Sequence, residues 1–248
     1  MSFEFLAPDS ATPVNGSRPT QRSPIEWTHR RRETRFEERA GWRVVTGYGA
    51  TGRELAACRA SVGVADVSFL GKLELQGEPR VVAEIVAGLA GGVVLEPGRA
   101  AVCDEVWWCP VTAGRVLAVT PPEATGRVRE ELESAASSAP FASACELTAA
   151  FGSNAVVGPL AREAFARATA LDLRPGRFPE AAFAPVSVAR TPGMVLRQHG
   201  DRYLHLFGAG FAEYVWTVFV DAAQDLGGRA VGAEALRRAL ASEVPAGA

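Results

Sequence analysis

The side chains considered for chemistry in this sequence are an acidic pair and a single aspartate, each set near aromatic residues. Asp104-Glu105 precedes Val106-Trp107-Trp108, and Asp201 lies within Gly200-Asp201-Arg202-Tyr203. An ionised carboxylate only accepts hydrogen bonds. Adjacent residues on a strand point to opposite faces, so only one of Asp104 and Glu105 is expected to look into a given site. Gly200-Asp201 also reads as an ordinary hairpin turn. Metal chemistry finds less support. Cys58, Cys103, Cys109 and Cys145 form no CxxC pair and fit no metal template, and His29, His199 and His205 are equally scattered. The cysteines read as small buried hydrophobes of a reducing compartment. Lys72 is the only lysine; it follows a glycine at a strand start and is expected to reach solvent.

The elements that must position these residues belong to a chain able to fold. With 248 residues, 48% of them hydrophobic and 22% charged, it can bury a substantial core. A net charge of -2 gives no electrostatic footprint for nucleic acid or an anionic membrane, and Arg30-Arg31-Arg32 reads as a solvated face. No apolar run approaches the roughly 20 residues of a membrane span, and the N-terminus lacks a secretory pattern, so a cytoplasmic location is expected.

Residues 1–22 combine prolines with serines and threonines and read as a disordered tail; 23–242 form the folded domain, and 243–248 a second short tail. Ser23-Pro24 opens a short helix into the charged run that follows. A helix over 52–61, strands near 62–67 and 72–76, a helix from Pro79, a hairpin over 100–110 and 115–120, and a helix after Pro121-Pro122 make up the first half. In the second half, strands near 143–148, 154–157, 183–189, 194–198 and 203–207 alternate with helices over 160–168, 211–226 and 233–241. That alternation indicates an α+β fold built of ferredoxin-like units. Gly47-Tyr48-Gly49 with Gly52 has dinucleotide-type spacing but no clear strand before it, which argues against a nucleotide site.

Ordered landmarks point to a family. They are Ala40-Gly41-Trp42, Tyr48, Glu54 to Arg59, Gly63-Val64-Ala65-Asp66-Val67-Ser68 and Gly71-Lys72-Leu73-Glu74-Leu75, followed by Leu95 to Ala100 and Gly158 to Arg162. In this order they resemble the folate-binding region of the glycine-cleavage T-protein. Leu171 to Pro175, Arg177-Phe178-Pro179 and Phe211 to Trp216 resemble the sarcosine oxidase gamma subunit of the same superfamily. The resemblance spans roughly residues 23 to 240. It implies ferredoxin-like units plus an antiparallel sheet around a central folate channel, without the C-terminal β-barrel domain of full-length T-proteins.

The resemblance also implies tetrahydrofolate as cofactor and one-carbon transfer from a methylated amine or aminomethyl donor. Its acidic hairpin maps to Asp104 as the catalytic candidate. Asp201, Tyr48, Trp42, Trp107 and Tyr203 are the candidate cofactor-binding residues. Arg59 and Asp66 read equally well as a structural ion pair. A homo-oligomer, or a complex with amine-oxidising flavoprotein subunits, is expected as the assembly. The alternative role is that of a non-catalytic gamma-type subunit of a sarcosine oxidase-like amine oxidase.

Overall fold

A computed structural model describes residues 19–30 and 33–241; residues 1–18 of the expected tail over 1–22, and all of that over 243–248, lie outside the described residues. In chain order the elements are β1 (Gln21–Arg22), α1 (Glu26–His29), β2 (Arg35–Arg39), β3 (Trp42–Gly47), α2 (Thr51–Ala60), β4 (Gly63–Asp66), β5 (Gly71–Gly77), α3 (Pro79–Leu89), β6 (Ala101–Cys103), β7 (Val106–Thr112), β8 (Arg115–Thr120), α4 (Thr125–Ser137), β9 (Ala142–Glu146), β10 (Phe151–Val157), α5 (Ala161–Ala166), β11 (Phe183–Val188), β12 (Thr191–Arg197), β13 (Arg202–Gly208), α6 (Ala212–Asp225), β14 (Arg229–Ala230) and α7 (Ala233–Ala241).

Two α/β units arise from two sheets. In the five-stranded sheet the order is β6-β7-β8-β5-β9, and the path β5-α3-β7-β8-α4-β9 is that of a ferredoxin-like unit. The six-stranded sheet runs β11-β12-β13-β10-β4-β14; the path β10-α5-β12-β13-α6-β14 repeats the pattern, with β4 inserted beside β10 and β11 added at an edge. A small sheet, β1-β3-β2, flanks them. Among the described residues no sheet closes on itself.

Period-two alternation sorts the side chains into three cores. On β7, Val106 and Trp108 join the core under α3 and α4, while Trp107 and Cys109 face the other way. On β8, Val116 and Ala118 go outward and Leu117 and Val119 inward. The six-stranded sheet mirrors this, with Leu204 and Leu206 of β13 inward and Tyr203 and Phe207 outward against Phe165 and Phe219 of α5 and α6. The inward faces of both sheets, capped by Ala235, Leu236 and Ala239 of α7, share one central core. The result is a helix–sheet–sheet–helix sandwich.

Several local readings change. The charged run after Ser23 yields only a one-turn helix, then strand β2, which pairs with β3 through a turn at Ala40-Gly41 where both φ values are positive (46° and 75°). Charged residues on a half-exposed strand of a small sheet leave little apolar periodicity to mark it. Gln21 and Arg22, assigned to the tail by sequence, pair with Trp42 and Arg43. The glycine-spaced turn at 47–52 does follow a strand. However, α2 leads to β4 in a different sheet, and Glu54 takes the position an anion would occupy: its carboxylate accepts the N–H of Tyr48 and of Gly232, each at 2.8 Å.

Candidate functional site

Between the two sheets the central core opens at one end into a cleft of about 400 Å³. Its walls are largely apolar: Val67, Phe69, Leu70, Ala155, Leu204, Leu236 and Leu240. Trp107 lies within it, buried in the central core and 5.7 Å, centroid to centroid, from the His199 ring. The polar groups at its mouth are Glu105, Gln198, Arg202, Arg237 and Arg39. Period two explains the selection on β13, where Arg202 and Leu204 face the cleft and Tyr203 does not.

Asp104 and Glu105 are not on a strand, which overturns the alternation argument. Cys103 pairs with Val106, so the two acids form a two-residue hairpin turn, with φ of 49° and 64°. Such a turn needs positive φ at both central residues and favours Asn or Gly there. A glutamate in the left-handed region is an unusual backbone for a long side chain. Glu105 lines the cleft, and Asp104 is an exposed residue beside it.

The other expected residues are dispersed. Trp42 lines a separate cavity of about 570 Å³ with Gln21, Thr148 and Phe151. Tyr48 lines a third, flanking cavity beneath α6. Asp201 sits exposed in the β12–β13 turn, where its carbonyl accepts the N–H of Gly158. Tyr203 is fully buried on the outer face of its sheet, 5.3 Å from the Phe165 ring, and burial raises its phenol pKa. Of the six residues, only Trp107 reaches the central cleft.

A buried polar network went unread in the sequence. Tyr48 Oη lies 2.8 Å from His29 Nδ1, and His29 Nε2 lies 3.0 Å from Asp66 Oδ2. With Asp66 ionised, Nε2 carries a proton and donates it to the carboxylate, leaving Nδ1 facing the phenol. Asp66 Oδ1 accepts from the N–H and hydroxyl of Ser68 at 3.0 and 2.6 Å. Burial pushes the Asp66 pKa up, but the His29 hydrogen bond and charge and the serine hydroxyls outweigh it, leaving the carboxyl below its ordinary range. His29, and not Arg59, is therefore its ionic partner. Lys72 does not reach solvent: it is wholly buried, with Nζ donating to the Ser68 carbonyl at 2.7 Å. Desolvation drives its pKa down to about 7, against a counteracting pull from Asp66. Nothing in the local sequence separates such a lysine from an exposed one, because its burial comes from the neighbouring Thr148 and Ser68 segments.

Across the sheet, Asp66, Asn154 and His205 are register partners on adjacent strands. Neither ring nitrogen of His205 and neither amide atom of Asn154 has a hydrogen-bond partner, and desolvation lowers the His205 pKa to about 3. Among the described residues no group of three or more His, Cys, Asp or Glu side chains could hold a metal ion.

The GCVT N-terminal domain family matches residues 25–241. This chain belongs to that family. Among solved structures, a chain of heterotetrameric sarcosine oxidase from Corynebacterium sp. U-96 superposes with a TM-score of 0.61 at 21% identity, covering 71% of this chain and 92% of that one. Glycine cleavage system aminomethyltransferase T from Bartonella henselae superposes with a TM-score of 0.72 at 18% identity, covering 87% of this chain. The GCVT-family chain studied here spans 60% of that aminomethyltransferase. At these identities the likeness shows the fold. No curated protein matches the sequence. Among the described residues no helix is long and apolar enough to cross a membrane.

Proposed function

We propose that this chain binds tetrahydrofolate in the central cleft and takes part in one-carbon transfer from a methylated amine or aminomethyl donor. The observation that carries the reading is the convergence of one carboxylate, Glu105, and one indole, Trp107, in an apolar cleft between two ferredoxin-like units. A pterin is flat and apolar on its faces and carries several N–H donors on its edge. Trp107 offers a surface for the face, and Glu105 an acceptor for the edge. Arg202 and Arg237 at the mouth suit the carboxylates of the folate tail. The cleft volume falls within the roughly 300 to 1,000 Å³ of small-molecule sites. Bound folate supplies the nitrogen that accepts the one-carbon unit, and this chain's part is to orient the ring, exclude water and hold a negative charge nearby. The acidic residue of the turn assigned to the ligand is thus Glu105, with Asp104 outside the contact.

A second reading is favoured by the 92% coverage of a sarcosine oxidase chain: the protein is a subunit of a heteromeric amine oxidase and its cleft is completed by a flavoprotein partner. We place both readings in a reducing cytoplasm, consistent with four free cysteines.

Titration calorimetry with tetrahydrofolate tests the proposal. The wild-type chain should bind, Glu105→Gln should weaken binding about tenfold, as loss of a charge-assisted hydrogen bond implies, and Asp104→Asn should change it little. Binding that appears only with amine oxidase subunits present supports the second reading. No binding under either condition removes folate from the account.

A further inference from the structure

The cavity beneath α6 has a charge arrangement that the folate reading leaves unused. It encloses about 370 Å³ and lies on the outer face of the six-stranded sheet, whereas the central cleft lies on the inner one. One wall is aromatic. Tyr48 and Trp216 rings stand 6.3 Å apart with planes tilted by 30°, and the His29 edge meets both.

Two opposite charges line this space, the Glu33 carboxylate and the Arg229 guanidinium. They form no ion pair with each other or with any other described residue. The Thr34 hydroxyl, which also lines the cavity, is buried without a hydrogen-bond partner. Two unpaired charges of opposite sign, an orphaned hydroxyl and an aromatic wall around one cavity fit a ligand bearing both signs and a small apolar body.

We propose that this cavity binds a free α-amino acid. Its carboxylate pairs with the Arg229 fork, a geometry that suits bidentate contact. Its ammonium faces Glu33, and its side chain lies against Trp216 and Tyr48, whose π-faces also favour a nearby cation. The proposal is independent of the folate reading, because the two sites share no lining residue.

The test uses the full chain and a panel of L-leucine, L-methionine and L-phenylalanine, each with its N-acetyl and its carboxamide derivative, titrated calorimetrically at millimolar concentration. At least one free amino acid should bind, and blocking either end should weaken it about tenfold or more. Arg229→Gln should abolish the preference for acid over amide, and Glu33→Gln the preference for free amine over N-acetyl. Both residues are at least partly exposed, and unchanged thermal unfolding confirms that the variants fold. Absence of binding by all three amino acids, or end-group preferences that survive both substitutions, overturns the proposal.

Discussion

The two helix-covered faces of the sandwich are built on the same path but filled differently. Under α3 and α4 the buried side chains are Leu, Val and Ala with Trp108, and among the described residues the only orphaned side-chain polar atom there is its indole nitrogen. Under α5 and α6 the sheet carries Asp66, Asn154 and His205 in a row, with His29 above the first. The first face is a support whose residues are interchangeable by volume. The second holds groups that are costly to desolvate, and it also borders the α6 cavity.

The largest expected contrast is in pH dependence. Lys72 titrates near 7 in the folded chain and near 10.5 when unfolded, so the unfolded state holds more protons between those values and stability rises with pH across that window. His205, at about 3 against 6.5, does the same between those lower values. Each shift corresponds to roughly 5 kcal/mol, fully lost only below the folded pKa. Urea unfolding across pH should therefore show wild type gaining stability relative to Lys72→Met from about pH 7 upward, and losing it relative to His205→Phe from about pH 6.5 downward. Leu132→Ala, in the apolar face, should cost about 3 kcal/mol and leave the shape of the pH profile unchanged. Parallel profiles for His205→Phe and Leu132→Ala would erase the distinction between the faces; Lys72, on the face of β5 opposite Leu73 and Leu75, reads the cost of a charge buried between the sheets.

Much of this architecture was legible. Alternation at Leu73 and Leu75, the Pro79 helix start and the apolar stripe Val82, Val86, Leu89 follow local rules, and the structure keeps those elements within a residue or two. The β2–β3 hairpin is hidden because its first strand carries Arg35, Glu37, Glu38 and Arg39 rather than an alternating apolar set. Which of the two acids lines the cleft was not legible. The acidic pair is visible in the sequence, but the two-residue turn it forms follows only from the pairing of Cys103 with Val106, and that turn puts Glu105 and not Asp104 on the cleft wall. Burial of Lys72 and the pairing of His29 with Asp66, 37 residues apart, depend on contacts that no local pattern encodes.

A smaller effect sharpens the functional side of the comparison. Glu105 sits at φ 64°, so Glu105→Gly should relieve the left-handed penalty and raise stability by about 0.5 to 1 kcal/mol while weakening folate binding. A gain in stability with loss of binding marks the turn as a position held for its carboxylate. A destabilised variant would mean that Glu105 contributes packing instead.

The five tryptophans lie in different environments, which allows the ligand site to be read directly. Trp107 lines the central cleft, Trp42 the cavity beside Thr148, Trp216 the α6 cavity; Trp108 is packed under α3 and α4, and Trp27 is exposed. Nitrogen–proton correlation spectra of the indole groups, assigned with single Trp→Phe variants, should show the Trp107 resonance moving on addition of tetrahydrofolate while Trp42, Trp216 and Trp27 stay in place. Movement of Trp42 or Trp216 with Trp107 unchanged would contradict the central-cleft assignment.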